Sequence, residues 1–186
     1  MLDHEDHLPG DRDAATEPTD VTTALFMQEG AWQPGDHQKR RAQGFPQPPL
    51  DQRLARLWRQ DLLAQETPPR YRALLDEAVL HRQVGGPAFM QEQLDKIFKS
   101  AATEQATVQI IPFDVGEHAS TDSNFTFLEF GKLAQRHVVF VEGLFSNLKQ
   151  ERQSETERYR EALEYLRDAA LSPRDSTRLI IEIRST

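Results

Sequence analysis

The chain contains no cysteine. That excludes a disulfide framework, thiolate metal sites and any cysteine nucleophile. Long hydrophobic runs are missing as well: nothing approaches the roughly 18 apolar residues that a membrane-spanning helix needs. Residues Met1 to Asp6 are neither basic nor apolar, so no secretory signal is expected there. A cytoplasmic location without membrane contact is the expectation. Bases are scarce relative to acids, with 22 Lys and Arg against 30 Asp and Glu. An acidic chain without a basic stripe is a poor ligand for phosphate backbones, so direct nucleic-acid binding is not expected. The cluster Lys39-Arg40-Arg41 is too short to alter this and reads as a solvated loop.

Chemical signatures are sparse too. Gly85-Gly86 lacks the spacing and the lysine of a phosphate loop. No nucleophile elbow is present. His4-Glu5-Asp6-His7 has ligand-type side chains but falls in a segment expected to be disordered, and no other histidine pair has helix-face ligand spacing. Neither a metal nor a cofactor is therefore expected.

What is present organises into three stretches. Residues 1–20 carry seven acids against Arg12, so −6 of the net charge of −8 lies there and −2 in the rest. They bury too little apolar surface to offset ordering entropy and are expected to form a disordered acidic tail. Residues 21–49 read as a partly ordered linker, with Val21, Leu25, Phe26, Met27 and Trp32 followed by a Pro- and Gly-rich run. Residues 50–186 carry the patterns of one folded domain. Leu50, Leu54, Leu57, Trp58, Leu62 and Leu63 recur at helical spacing. Tyr71, Ala73 and Leu75 alternate through a strand that extends to Glu77. Pro87 opens a helix whose apolar stripe is Phe89, Met90, Leu94, Ile97, Phe98 and Ala101. Strands are expected over 107–112, 124–130 and 137–141, the last apolar enough to be covered on both faces. Ser154 and Glu157 read as a capping box before the stripe Tyr159, Leu163, Leu166 and Ala170. Ser172-Pro173 starts a final helix with Leu179, Ile180 and Ile183 turned inward. The fold expected is a single α/β (α+β) domain, a small mixed or antiparallel sheet packed with about four helices.

Several phrases, taken together and in order, resemble one family. They are Leu75-Asp76-Glu77-Ala78-Val79-Leu80-His81-Arg82 with Val84-Gly85-Gly86, then Val108 to Phe113 followed by Gly116 and His118. Phe125 to Phe130, Val138 to Gly143, and the closing run from Tyr159 to Pro173 complete the set. The chain resembles, over roughly residues 50–184, the uncharacterised effector domain that follows an XRE-type helix-turn-helix in actinobacterial WhiJ-like, antitoxin-like regulators. The resemblance implies a domain that receives a signal or a small protein partner and relays it to a DNA-binding module. It carries no established catalytic set. Residues 1–20 offer no recognition helix, and the turn after His118 is more polar than the family's usual version.

Asp76 and Glu77 end a predicted strand, where alternation sends neighbouring side chains to opposite faces, with Arg82 close enough to pair with either. A salt bridge or helix cap is the structural alternative. His118 follows a strand in a turn, and its ordinary titration range suits general acid–base work, against a purely turn-stabilising role. Glu129 and Glu142 sit at apolar strand ends; they either face a cavity or pair with an arginine such as Arg136 or Arg158. Phe125, Phe127 and Phe140 are candidates to line an apolar ligand pocket, against a role in the core.

The function expected is a stand-alone, regulator-derived domain that binds a small molecule or a small partner protein, with a homodimer open. The alternative is a repurposed cofactor-free enzyme of specialised metabolism, a cyclase, isomerase or hydrolase, acting through Glu77, Arg82, His118, Glu129 or Glu142. A third reading is a fragment that sequesters a full-length regulator by heterodimerising with it.

Overall fold

Alternating apolar residues in four separate runs demand a sheet that is buried on more than one side, and helices on both faces provide the cover. The computed structural model describes residues 18–25, 66, 68–83, 85–104, 106–119, 124–131, 137–142 and 147–185. Six strands form one sheet: β1 (Pro18–Leu25), β2 (Arg70–Asp76), β3 (Ala106–Ile111), β4 (Asn124–Phe130), β5 (His137–Glu142) and β6 (Asn147–Gln150), in the order β3-β2-β1-β4-β5-β6. The β1–β2 and β2–β3 pairs are parallel, whereas β4, β5 and β6 continue antiparallel from β1. The described helices are α1 (Ala78–His81), α2 (Pro87–Ala101), α3 (Gln153–Ala169) and α4 (Pro173–Arg184), with a 3₁₀ turn at Phe113–Val115. The mixed α/β class read from the sequence is the class observed.

Period-two alternation assigns side chains to the two faces. Ala73 and Leu75 of β2 join Val108 and Ile110 of β3 beneath α2 and α4, in a cluster with Leu80, Met90, Leu94 and Ile180. On the opposite face Leu74, Ile111, Phe125, Phe127 and Val139 meet Leu166 of α3, with Tyr159, Ala162 and Leu163 packed at its margin. The stripes read for α2, α3 and α4 are those that pack inward.

An edge strand leaves backbone groups in need of partners. At the β3 edge the α3–α4 link and the first turn of α4 supply them: Leu171 N donates to Ile110 O at 2.8 Å, and Ile110 N donates to the fully buried Ser176 Oγ at 2.9 Å. Ser172 caps α4, its Oγ accepting from Asp175 N at 3.1 Å. One glycine is fixed by geometry. Gly85 has φ +82°, and a Cβ there would lie 2.6 Å from Phe89 Cδ1, so the turn into α2 tolerates no side chain at this position.

Several elements differ from the sequence reading. Pro18–Asp20, grouped with the acidic tail, open β1, which pairs with β2 on one side and β4 on the other. The Ser154–Glu157 capping box does not form. α3 starts two residues earlier, with Arg152 rather than Ser154 as its N-cap and no side-chain cap there, and the Glu157 carboxylate is taken by Arg160 instead. A guanidinium three residues on offers two charge-assisted bonds, which outcompete a single backbone N–H. The helix read over Leu50–Leu63, the His4–His7 cluster and Lys39-Arg40-Arg41 lie outside the described residues.

Candidate functional site

The parallel strands β2 and β3 end side by side, and their carboxyl ends gather three of the named residues or their neighbours. β2 stops at Asp76, and Glu77 already has helical angles, φ −58° and ψ −31°, as the N-cap of α1. The alternation expected to separate the two carboxylates therefore breaks between them, and both turn to the loop that follows β3. Asp76 Oδ1 accepts from Ala78 N at 2.7 Å, and Asp76 Oδ2 lies 2.9 Å from His118 Nε2. A carboxylate can only accept, so Nε2 carries the proton in this bond. Glu77 Oε2 accepts from Phe113 N at 2.9 Å, while Glu77 Oε1 lies 3.3 Å from His81 Nε2. The His81 ring stacks on exposed Phe113 with centroids 5.6 Å apart.

Accessibility separates these groups chemically. The His118 side chain is 1% exposed, and that of His81 48%. An imidazole closed off to that degree clamps the loop to the end of β2 and offers no ring nitrogen to a substrate. Arg82 is exposed at the end of α1, its N donating to Ala78 O at 3.1 Å, while Asp76 and Glu77 bond His118 and His81. Glu142 pairs in register with Asn124 at the same edge of the sheet, three strands along from β2. Glu129 lies at the opposite edge, opposite His137, with 3.9 Å between Oε1 and Nε2. The five candidates thus do not converge on one point.

A second locus lies on the α3 face near Glu129. A cavity of about 150 Å³ opens between the sheet and α3. Leu74, Phe127 and Leu163 supply apolar wall; Arg72, Glu129, Arg160, Glu164 and Arg167 supply the charge. Arg72 comes from β2, two residues before Leu74 and on the same face, while Arg160, Leu163, Glu164 and Arg167 follow helical spacing along α3. Arg160 is committed: it bonds Glu157 through two nitrogens and reaches Glu164 Oε1 at 3.2 Å. Its guanidinium holds the Glu157 carboxyl below the ordinary carboxylate range, and Glu157 in turn raises Arg160. Arg72 differs, since its Nε is buried with no hydrogen-bond partner among the described residues. A buried guanidinium donor left without an acceptor is costly.

Of the three phenylalanines proposed for a pocket, Phe127 forms cavity wall. Phe125 is core, its ring 5.1 Å from Tyr159. Phe140 pairs with Thr126 in register and so lies on the face away from α3. The arginines were not singled out in the sequence. The available signal was Arg160, Leu163, Glu164 and Arg167 along one side of α3, together with an arginine on the inward face of an apolar strand. Among the described residues, no group of three or more His, Asp or Glu is placed to hold a metal, and no helix is long and apolar enough to cross a membrane.

A family model described as a domain of unknown function (DUF5753) matches residues 37–182, well over half of the chain. The chain belongs to this family. The DUF5753 match starts upstream of residue 50, so the family pattern reaches into the segment read as linker and spans β2 to β6, α1 to α3 and α4 as far as residue 182. No curated protein and no solved structure matched the chain.

Proposed function

We propose that this DUF5753 domain is a regulator-derived receiver: it captures a small ligand and does not itself grip nucleic acid. Its sequence resembles the effector domains that follow XRE-type helix-turn-helix modules in actinobacterial regulators, which is what suggests a regulatory descent. The observation that carries the reading is the cavity beneath α3, where the buried Arg72 Nε faces no acceptor among the described residues. Ligand sites are concave and combine apolar wall with polar groups that fix orientation; here Leu74, Phe127 and Leu163 supply the wall and five charged side chains the polar groups. The net charge of −8 argues against phosphate backbones as the partner.

The enzyme reading has less behind it. Asp76 and His118 have the spacing of an acid–base pair, but a general base must come within hydrogen-bond reach of the proton it takes, and the His118 side chain is 1% exposed.

The purified chain, incubated with a low-molecular-mass extract of an actinobacterium and examined by native mass spectrometry, is expected to retain one compound at unit stoichiometry and to leave it chemically unchanged. Fluorescence anisotropy with mixed-sequence duplexes is expected to show no saturable binding at physiological salt. Tight, sequence-selective capture of duplex, turnover of the retained compound, or retention of nothing would each overturn the receiver reading.

A further inference from the structure

The cavity beneath α3 carries enough chemistry to narrow its ligand, an inference that rests on the receiver reading above. Its charged groups divide into committed and uncommitted. Arg160 is spent on Glu157 and Glu164. Glu129 approaches His137 across the strand pair. Arg72 projects from the sheet side with its Nε unpaired among the described residues, and Arg167 stands two turns along α3 from Arg160. The uncommitted pair is therefore cationic, and the carboxylates of Glu129 and Glu164 flank it. This balance favours a ligand of one negative charge: a dianion would face two fixed carboxylates at close range, and a cation would face two guanidiniums.

The shape of the donor and the remaining wall select further. A guanidinium presents its N–H groups as a planar fork that matches a carboxylate through two parallel bonds. Leu74, Phe127 and Leu163 provide hydrocarbon surface beside that fork, which rewards an apolar substituent with roughly 25 cal/mol per Å² buried. The volume of about 150 Å³ is well below the ~300–1,000 Å³ of sites for drug-sized ligands, so the substituent is a short chain or a single ring. We infer that the cavity binds a small monocarboxylate, its carboxylate on Arg72 and Arg167 and its hydrocarbon against Phe127 and Leu163.

The test is an NMR titration of the full chain with four probes: benzoate, butyrate, succinate and inorganic phosphate. Benzoate or butyrate is expected to saturate, with shifts centred on Phe127 and Leu163, and to bind at least tenfold more tightly than succinate or phosphate. Arg72→Gln is expected to weaken the monocarboxylate at least tenfold. Arg167→Gln, a change at an exposed position that leaves the fold intact, is expected to weaken it severalfold. Arg178→Gln makes the same charge change on α4, away from the cavity, and is expected to leave affinity unaltered. Absence of saturation by either monocarboxylate, equal affinity for phosphate, or an Arg167→Gln variant that binds as the parent does would overturn the inference. If the probes fail while the extract experiment yields a retained compound of another class, the ligand class is wrong and the receiver reading stands. If the extract yields nothing as well, both fall.

Discussion

Replacing Asp76 by alanine is expected to destabilise the domain by about 3 kcal/mol, measured as the shift in the urea unfolding transition followed by circular dichroism. The carboxylate serves two donors at once, the first backbone N–H after the α1 N-cap and the ring of His118. Removing it takes the acceptor from Nε2 of an imidazole that is 1% exposed, and breaking a buried pair from one side typically costs about 3–5 kcal/mol. The partial exposure of Asp76, 10% for its side chain, places the expectation at the lower end of that range. Asp76→Asn retains one acceptor oxygen in place of two, so it is expected to lose about half as much. A shift of less than ~0.5 kcal/mol, the range of surface substitutions, would show that the bond to His118 contributes nothing to holding the loop after β3.

Ile180→Ala is the second large effect. Ile180 is fully buried where α4 meets β2 and β3, in the cluster with Leu75, Leu80, Val108 and Ile110. Deleting three carbons from such a site leaves a cavity that the rigid sheet cannot close, and core truncations of this size cost about 2–5 kcal/mol. Ile181 is the internal control. It is one residue on and 41% exposed, and its alanine variant is expected to fall within ~0.5 kcal/mol of the parent. Equal losses at the two positions, by the same unfolding measurement, would mean that α4 presents a different face to the sheet.

Residues 70–142 show which features a sequence makes visible. The alternation Tyr71, Ala73, Leu75 and the phrase Phe125 to Phe130 mark strands because one face of each must be apolar, and the stripes of α2, α3 and α4 do the same with helical period. β1 was hidden for a physical reason. Pro18–Leu25 holds three Thr and one Asp, lacks a long apolar alternation, and is specified by partners on β2 and β4 that lie far along the chain. β6, Asn147–Gln150, has one apolar residue and is held by pairing to β5 alone.

The site divides along the same line. Asp76, Glu77 and His118 were visible as residue types, but their meeting depended on β2 ending one residue sooner than its pattern suggested, at Asp76 rather than Glu77. Arg72 carries no sequence signal of a site, because an arginine in a strand normally points to water. Only the tertiary placement of α3 across that face turns its side chain into a cavity wall. Phe127 was named for a pocket and lines one, whereas Phe140, named with it, belongs to the other face because alternation across the β4–β5 pair sends it there. Family membership adds no residue roles here, so the functional reading stands on the cavity.

The most direct measurement is the ¹⁵Nε–¹H spectrum of the arginine side chains, recorded with and without benzoate. The account predicts that one Nε–H resonance moves downfield and exchanges more slowly with water as benzoate is added, and that this resonance is missing from the Arg72→Gln variant. A spectrum in which no arginine Nε–H responds, or in which the responding resonance survives in Arg72→Gln, would contradict it.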